Sequence, residues 1–138
     1  MKSSIRWTDG IQFVAEVGSG HALVVDGAPD HGGRNTGARP MELVLAGAAS
    51  CTAIDVVLML KKSRQDVSAF SVDADAERAT EDPKVFTAIK LTFRVAGRNI
   101  DPAAVERAVK LSKEKYCSAT AMLGHTATIT TEIVVTQL

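Results

Sequence analysis

The sequence has 138 residues and a mass of 14.6 kDa, the size of one ordinary domain spanning 1–138. Lys plus Arg and Asp plus Glu both number 16, so the formal net charge is zero, which argues against a nucleic-acid backbone or an anionic membrane as partner. Two cysteines, Cys51 and Cys117, are too few for a disulfide-stapled secreted domain, and Met1 to Trp7 holds no apolar signal core. A cytoplasmic protein with two reduced thiols is the expectation.

In chain order, Ile5 to Thr8 and Ile11 to Val17 flank Asp9-Gly10, a two-residue hairpin signal because both turn positions favour positive φ. Gly18-Ser19-Gly20 marks a second turn before a third strand, His21 to Asp26. Gly27 to Ala38 is a Gly-rich loop carrying Arg34, with Arg39 directly after it. It matches neither phosphate-loop pattern, GxxxxGK[ST] or GxGxxG.

Met41 to Leu60 is 20 residues long and 15 of them are apolar, which is membrane-spanning length. Asp55 argues against a span, at roughly 2.5–3.5 kcal/mol for a charge placed centrally. A buried central helix is the better reading, with Pro40 in its first turn, where no N–H is needed. At 100° per residue Val44, Gly47, Ala48, Asp55 and Leu58 share a face with Cys51, and Ala49, Ala53, Val56 and Leu60 lie opposite. A helix apolar all round must be covered all round. The small residues Ala46 to Ser50 suit the close approach of a helix from a second subunit.

Beyond this helix, Ser71 to Arg78 and Val85 to Val95 alternate as strands about a turn at Glu81-Asp82-Pro83. Asp101 and Pro102 open a second helix over 102–116 as N-cap and first helical residue, with Ile100 and Val105 placed for a hydrophobic staple. Its inner stripe is Val105, Ala108, Val109, Ser112 and Tyr116. A short helical turn over Ser118 to Leu123 and a strand from Ala127 to Val135 complete the chain. The order predicts an α+β fold with mostly antiparallel sheets against two helices, without repeated β-α alternation.

The candidate chemistry lies in the two thiols, 66 residues apart. On spacing alone two buried structural thiols are the simpler reading, because free cysteine packs as a small hydrophobe. Cys51 sits mid-helix and needs an external cation for activation, for which Arg39 and Arg34 are candidates from either subunit. Asp55, one turn on, raises the Cys51 pKa by itself or holds a cation near the thiol. With Ser118 capping a new turn, Cys117 lies in a more electropositive setting than Cys51. His21, His31 and His125 are scattered without metal-ligand spacing, so neither metal nor cofactor is expected, and no GxSxG elbow exists.

The stretch Pro40-Met41-Glu42-Leu43-Val44-Leu45-Ala46-Gly47-Ala48-Ala49-Ser50-Cys51-Thr52-Ala53-Ile54-Asp55 resembles the central-helix motif of the OsmC/Ohr superfamily, in wording nearest its YhfA-like branch. Glu114-Lys115-Tyr116-Cys117-Ser118 resembles that family's second cysteine motif. The resemblance implies an intertwined homodimer and a thiol peroxidase acting on organic hydroperoxides or hydrogen peroxide in oxidative stress defence. It implies that Cys51 is the peroxidatic cysteine, that Cys117 resolves it as a disulfide, and that a cellular dithiol restores both thiols. An arginine and a glutamate assist in the family. Arg39 and Glu42 are the matching candidates here, although the position directly after the proline, where the best-studied members place the glutamate, is Met41. Glu42, nine residues before Cys51, points about 180° away on an ideal helix. The competing expectations are a non-enzymatic ligand-binding or stress-related dimer that kept the fold, and a hot-dog-type thioesterase, which the second helix and paired cysteines disfavour.

Overall fold

A computed structural model describes residues 1–138. The chain forms two compact units, Met1–Val44 and Leu45–Leu138. Together they hold two three-stranded sheets and three α-helices, an α+β architecture as the sequence predicts.

The first unit is an antiparallel meander of β1 (Ser3–Asp9), β2 (Gln12–Val17) and β3 (Ala22–Val25), in the order β1-β2-β3. The β1–β2 turn falls one residue later than expected. Asp9 pairs with Gln12, so Gly10 and Ile11 form the loop, and Gly10 takes φ +54°. Asp9 is held in the ladder because its carboxylate accepts the Gly10 N–H (2.8 Å) and the Arg34 guanidinium (2.8 Å).

The Gly-rich loop is ordered by one side chain. Asp26, 2% exposed, accepts hydrogen bonds from the Thr36 hydroxyl and from the backbone N–H groups of Gly27, Arg34 and Thr36. Thr36 in turn accepts from Gln12 Nε2 at 2.6 Å, which ties the loop to β2. Gly33 packs so closely on the Gly27 carbonyl that a Cβ there would collide with it. A parallel bridge between Val25 and Ala38 then brings the chain to its long helix.

That helix, α1 (Pro40–Lys62), starts where the sequence predicts, with the Leu43 N–H donating to the Arg39 carbonyl and Pro40 first in the helix. It is long and apolar enough to cross a membrane by length and composition, with a mean hydropathy of 2.1 over its most apolar 18 residues. Within the chain only the line Ala48, Thr52, Val56 and Leu60 is buried. Ile54 and Leu58 are 61% and 60% exposed, so the all-round covering expected of this helix is not supplied by one chain.

In the second unit β4 (Asp66–Arg78) and β5 (Phe86–Arg98) form a long antiparallel hairpin, and β6 (Thr128–Gln137) pairs with β5 in parallel. Sheet order is therefore β4-β5-β6, and the crossover from β5 to β6 is one β-α-β unit within the otherwise antiparallel fold. As the central strand, β5 supplies much of the core through Phe86, Ile89, Leu91, Phe93 and Val95. Burying a side chain such as Phe93 contributes roughly 1.5–3 kcal/mol. Gly97 lies so near the Asp66 carbonyl that a Cβ would clash with it.

Helix α2 (Pro102–Leu111) has the expected Asp101 cap, whose side chain accepts the Ala103 N–H, and both staple residues, Ile100 and Val105, are buried. It ends five residues before the expected position, because the chain widens into a π turn over Ser112–Tyr116. The wider turn changes the angular spacing, so Ser112 stays buried while Tyr116 leaves the inner stripe and is 52% exposed. Helix α3 (Ser118–Leu123) follows directly.

Hydrogen bonds hold the Asp26 carboxyl down to about 2 from 3.8, the Thr36 hydroxyl contributing most, against the upward effect of burial. A depressed carboxyl stabilises above its unfolded value and loses that contribution as pH falls through its folded value. Asp26→Asn is therefore expected to lower stability at neutral pH, with the gap to the native chain closing between 3.8 and about 2. Chemical denaturation followed by Trp7 fluorescence at a series of pH values checks this.

Candidate thiol redox site

The sequence pairs Cys51 with Cys117 only through a resemblance, and the second unit brings the two together. Cys51 lies midway along α1 and is partly exposed, while Cys117 is 2% exposed at the joint between the π turn and α3. The Cys117 thiol is within interacting distance of the Cys51 thiol, and both are free.

The local chain explains how Cys117 reaches this position. Its backbone N–H closes the π turn onto the Ser112 carbonyl at 2.8 Å. Its own side chain is the N-cap of α3, with Sγ accepting the Thr120 N–H at 3.4 Å, and the Thr120 hydroxyl donates back to the Cys117 carbonyl at 3.3 Å. Cys117 thus takes the capping role expected of Ser118.

The expected electropositive setting does not lower its pKa. Burial pushes the Cys117 thiol above the ordinary value of 9.0, and the neighbouring Cys51 pushes the same way, while the Thr120 bonds only partly offset them. A buried sulfur with short helical dipoles beside it still loses more hydration than those dipoles return.

Three further residues complete this region. Thr52, next to Cys51, and Ser112, at the start of the π turn, have their hydroxyls 2.8 Å apart and are 2% and 0% exposed. The Ser112 hydroxyl donates to Asp55 Oδ2 at 2.9 Å. Asp55 therefore serves a hydroxyl chain, where sequence reasoning weighed it only as a charge near the thiol. Thr52 and Thr120 were missed, and Ser112 was read merely as part of an inner stripe. The available signal was a hydroxyl on the inner stripe of each helix, since a buried hydroxyl needs a partner. Beside these residues lies a cleft of ≈ 550 Å³ lined by Asp55, Leu58, Met59, Ala108, Leu111 and Tyr116 among others.

The remaining candidates, Arg39, Glu42 and Arg34, belong to the first unit. Arg39 donates from its guanidinium to Asn35 Oδ1 at 2.6 Å, and its backbone N–H donates to the Glu42 carboxylate at 3.0 Å. Glu42 thus satisfies an orphan donor at the start of α1, in the manner of a capping box. Arg34 is paired with Asp9 at 2.8 Å, which holds the Asp9 carboxyl below its usual range.

A long central helix carrying one cysteine, and a second cysteine delivered to it from a later helical joint, define a two-thiol α+β class. The sequence profile of the OsmC-like protein family matches residues 32–132, and the chain belongs to that family. It is 45% identical over 133 residues to protein YhfA of Escherichia coli strain K12, covering 94% of each chain. Its fold is similar to a hypothetical protein of Aquifex aeolicus VF5, with a TM-score of 0.87 and 28% identity, covering 99% of this chain and 96% of that one. The fold also matches an organic hydroperoxide resistance protein OsmC from Legionella pneumophila, with a TM-score of 0.69 and 14% identity over 97% of each chain.

With Cys51→Ala, the single remaining thiol is expected to titrate above 9.0, because burial, the larger cause, persists. Thiolate absorbance in the ultraviolet against pH measures it. A midpoint at or below that value would contradict the assigned environment.

Proposed function

We propose that this protein is a two-cysteine hydroperoxide reductase with a stress-related role, acting on organic hydroperoxides or hydrogen peroxide. The observation that carries the reading is the apposition of the Cys51 and Cys117 thiols, one partly exposed and one buried. Family membership and the named hydroperoxide resistance of a fold neighbour support it.

In the proposed cycle the Cys51 thiolate attacks the terminal peroxide oxygen. An S–O bond forms and the O–O bond breaks, two electrons pass from sulfur to the peroxide, and the leaving alkoxide or hydroxide takes up a proton. The resulting Cys51 sulfenic acid condenses with the Cys117 thiol, forming the S–S bond and releasing water. A cellular dithiol then exchanges with the disulfide and restores both thiols. Burial holds the Cys117 proton in place, and that proton leaves with the water formed in the condensation.

Arg39 or Arg34 is the proposed cation that assists the Cys51 thiolate and polarises the peroxide, and Glu42 is proposed to hold the segment carrying Arg39 through the bond it already makes. The protein is proposed to act in the cytoplasm as one domain over 1–138 and as a homodimer, with α1 a core helix covered by the partner. The exposed Ile54 and Leu58 support the dimer.

A second reading, a non-enzymatic dimer of the same fold, is favoured by Met41 and by the engagement of Arg34 with Asp9 and of Arg39 with Asn35. The two readings separate in a turnover assay with cumene hydroperoxide and excess dithiothreitol. The reductase reading expects steady peroxide loss that falls to background in Cys51→Ser, with Arg39→Met slower by about tenfold or more. Full turnover in Cys51→Ser, or none in the native protein, contradicts it.

A further inference from the structure

The hydroxyl chain beside the cysteine pair has no part in the chemistry described above, yet it joins the two segments that carry the thiols. Ser112 is 0% exposed and uses every hydrogen-bonding group it has. Its N–H reaches the Ala108 and Val109 carbonyls, and its carbonyl accepts the Cys117 N–H at 2.8 Å. Its hydroxyl donates to Asp55 Oδ2 at 2.9 Å. A hydroxyl has one proton, so the 2.8 Å contact with Thr52 must have Thr52 as donor. The chain therefore runs from the Thr52 hydroxyl to the Ser112 hydroxyl to the Asp55 carboxylate. It ends on a carboxylate acceptor, which strengthens both links, the first buried and the second part-buried.

Thr52 and Asp55 flank Cys51 on α1, one residue and one turn along, while Ser112 is the residue onto which the Cys117 backbone closes. We infer that Ser112 is a positioning residue for the thiol pair: through Thr52 and Asp55 it fastens the π turn to α1 and so holds Cys117 against Cys51 in the geometry that forms the disulfide. A disulfide requires Cα atoms roughly 4.4–6.8 Å apart, a tolerance that a loose helical joint does not keep. The width of the π turn is part of the device. It lets the Cys117 N–H reach the Ser112 carbonyl five residues back, so one residue anchors both the turn and its contact with α1.

This role deepens the reductase reading, but its first test does not depend on peroxide. The thiol–disulfide equilibrium of the native protein, Ser112→Ala, Thr52→Val and Thr52→Ser is measured in glutathione buffers by mass spectrometry. Loss of a polarised, buried hydroxyl contact is expected to weaken the disulfide equilibrium about tenfold, a potential about 30 mV less negative. Thr52→Val should shift in the same direction, and Thr52→Ser, which keeps the donor, should stay near the native value.

A second readout follows the sulfenic acid after one equivalent of cumene hydroperoxide, trapped with a cyclic 1,3-dione. Ser112→Ala should prolong its lifetime about tenfold and leave the initial consumption of peroxide unchanged. A native potential in Ser112→Ala overturns the inference. Should that variant lose its helical circular dichroism, the Thr52 pair decides, and equal potentials in Thr52→Val and Thr52→Ser overturn it. If the native thiols pair in glutathione but no hydroperoxide consumes them, the reductase reading fails while a shifted Ser112→Ala potential still supports the positioning role.

Discussion

The backbone bond from the Cys117 N–H to the Ser112 carbonyl sets the geometry of the second unit's thiols. It closes a turn wider than an α-helical one, and that turn carries the chain from α2 to the short helix α3. Continuing α2 with ordinary spacing would keep Tyr116 on the buried stripe. With the wide turn Tyr116 faces outward, Ser112 stays in the core, and Cys117 caps α3 with its sulfur beside Cys51. Five residues, 112–116, thus turn the end of an amphipathic helix into a support for the buried thiol.

The electrostatic consequence is a division of roles. Cys117 is buried, and burial together with its sulfur neighbour keeps its proton in place. Cys51 is partly exposed on α1. In the proposed cycle the accessible sulfur is oxidised and the protonated, water-poor one closes the disulfide. In the first unit the Asp26 carboxylate gathers the loop between β3 and α1, and Asp9 and Asn35 engage Arg34 and Arg39.

Much of this was legible in the sequence. Asp-Gly, Pro40 and the Asp101-Pro102 pair act through local sterics and local hydrogen bonds, so they marked the first hairpin, the start of α1 and the start of α2. Alternation in Val85 to Val95 marked β5 because its buried residues repeat every second position over much of its length. The end of α2 was not legible, because a π turn is chosen by a distant bond network and leaves no periodic trace. The one-residue slip in the first turn also has a tertiary cause, the bond from Arg34 to Asp9 across 25 residues. The hydroxyl chain joins positions about 60 residues apart, and only the hydroxyl of Ser112 on the inner stripe of the second helix hinted at it.

The central claim is that Cys51 and Cys117 of one chain form the oxidised state. Peptide mapping without reductant, after one equivalent of cumene hydroperoxide, tests it most directly. The account predicts a linked pair of peptides containing Cys51 and Cys117, lighter by two hydrogens than the separate peptides and formed within a single chain. Recovery of both cysteines as free thiols, or of Cys51 linked only between chains, would contradict it.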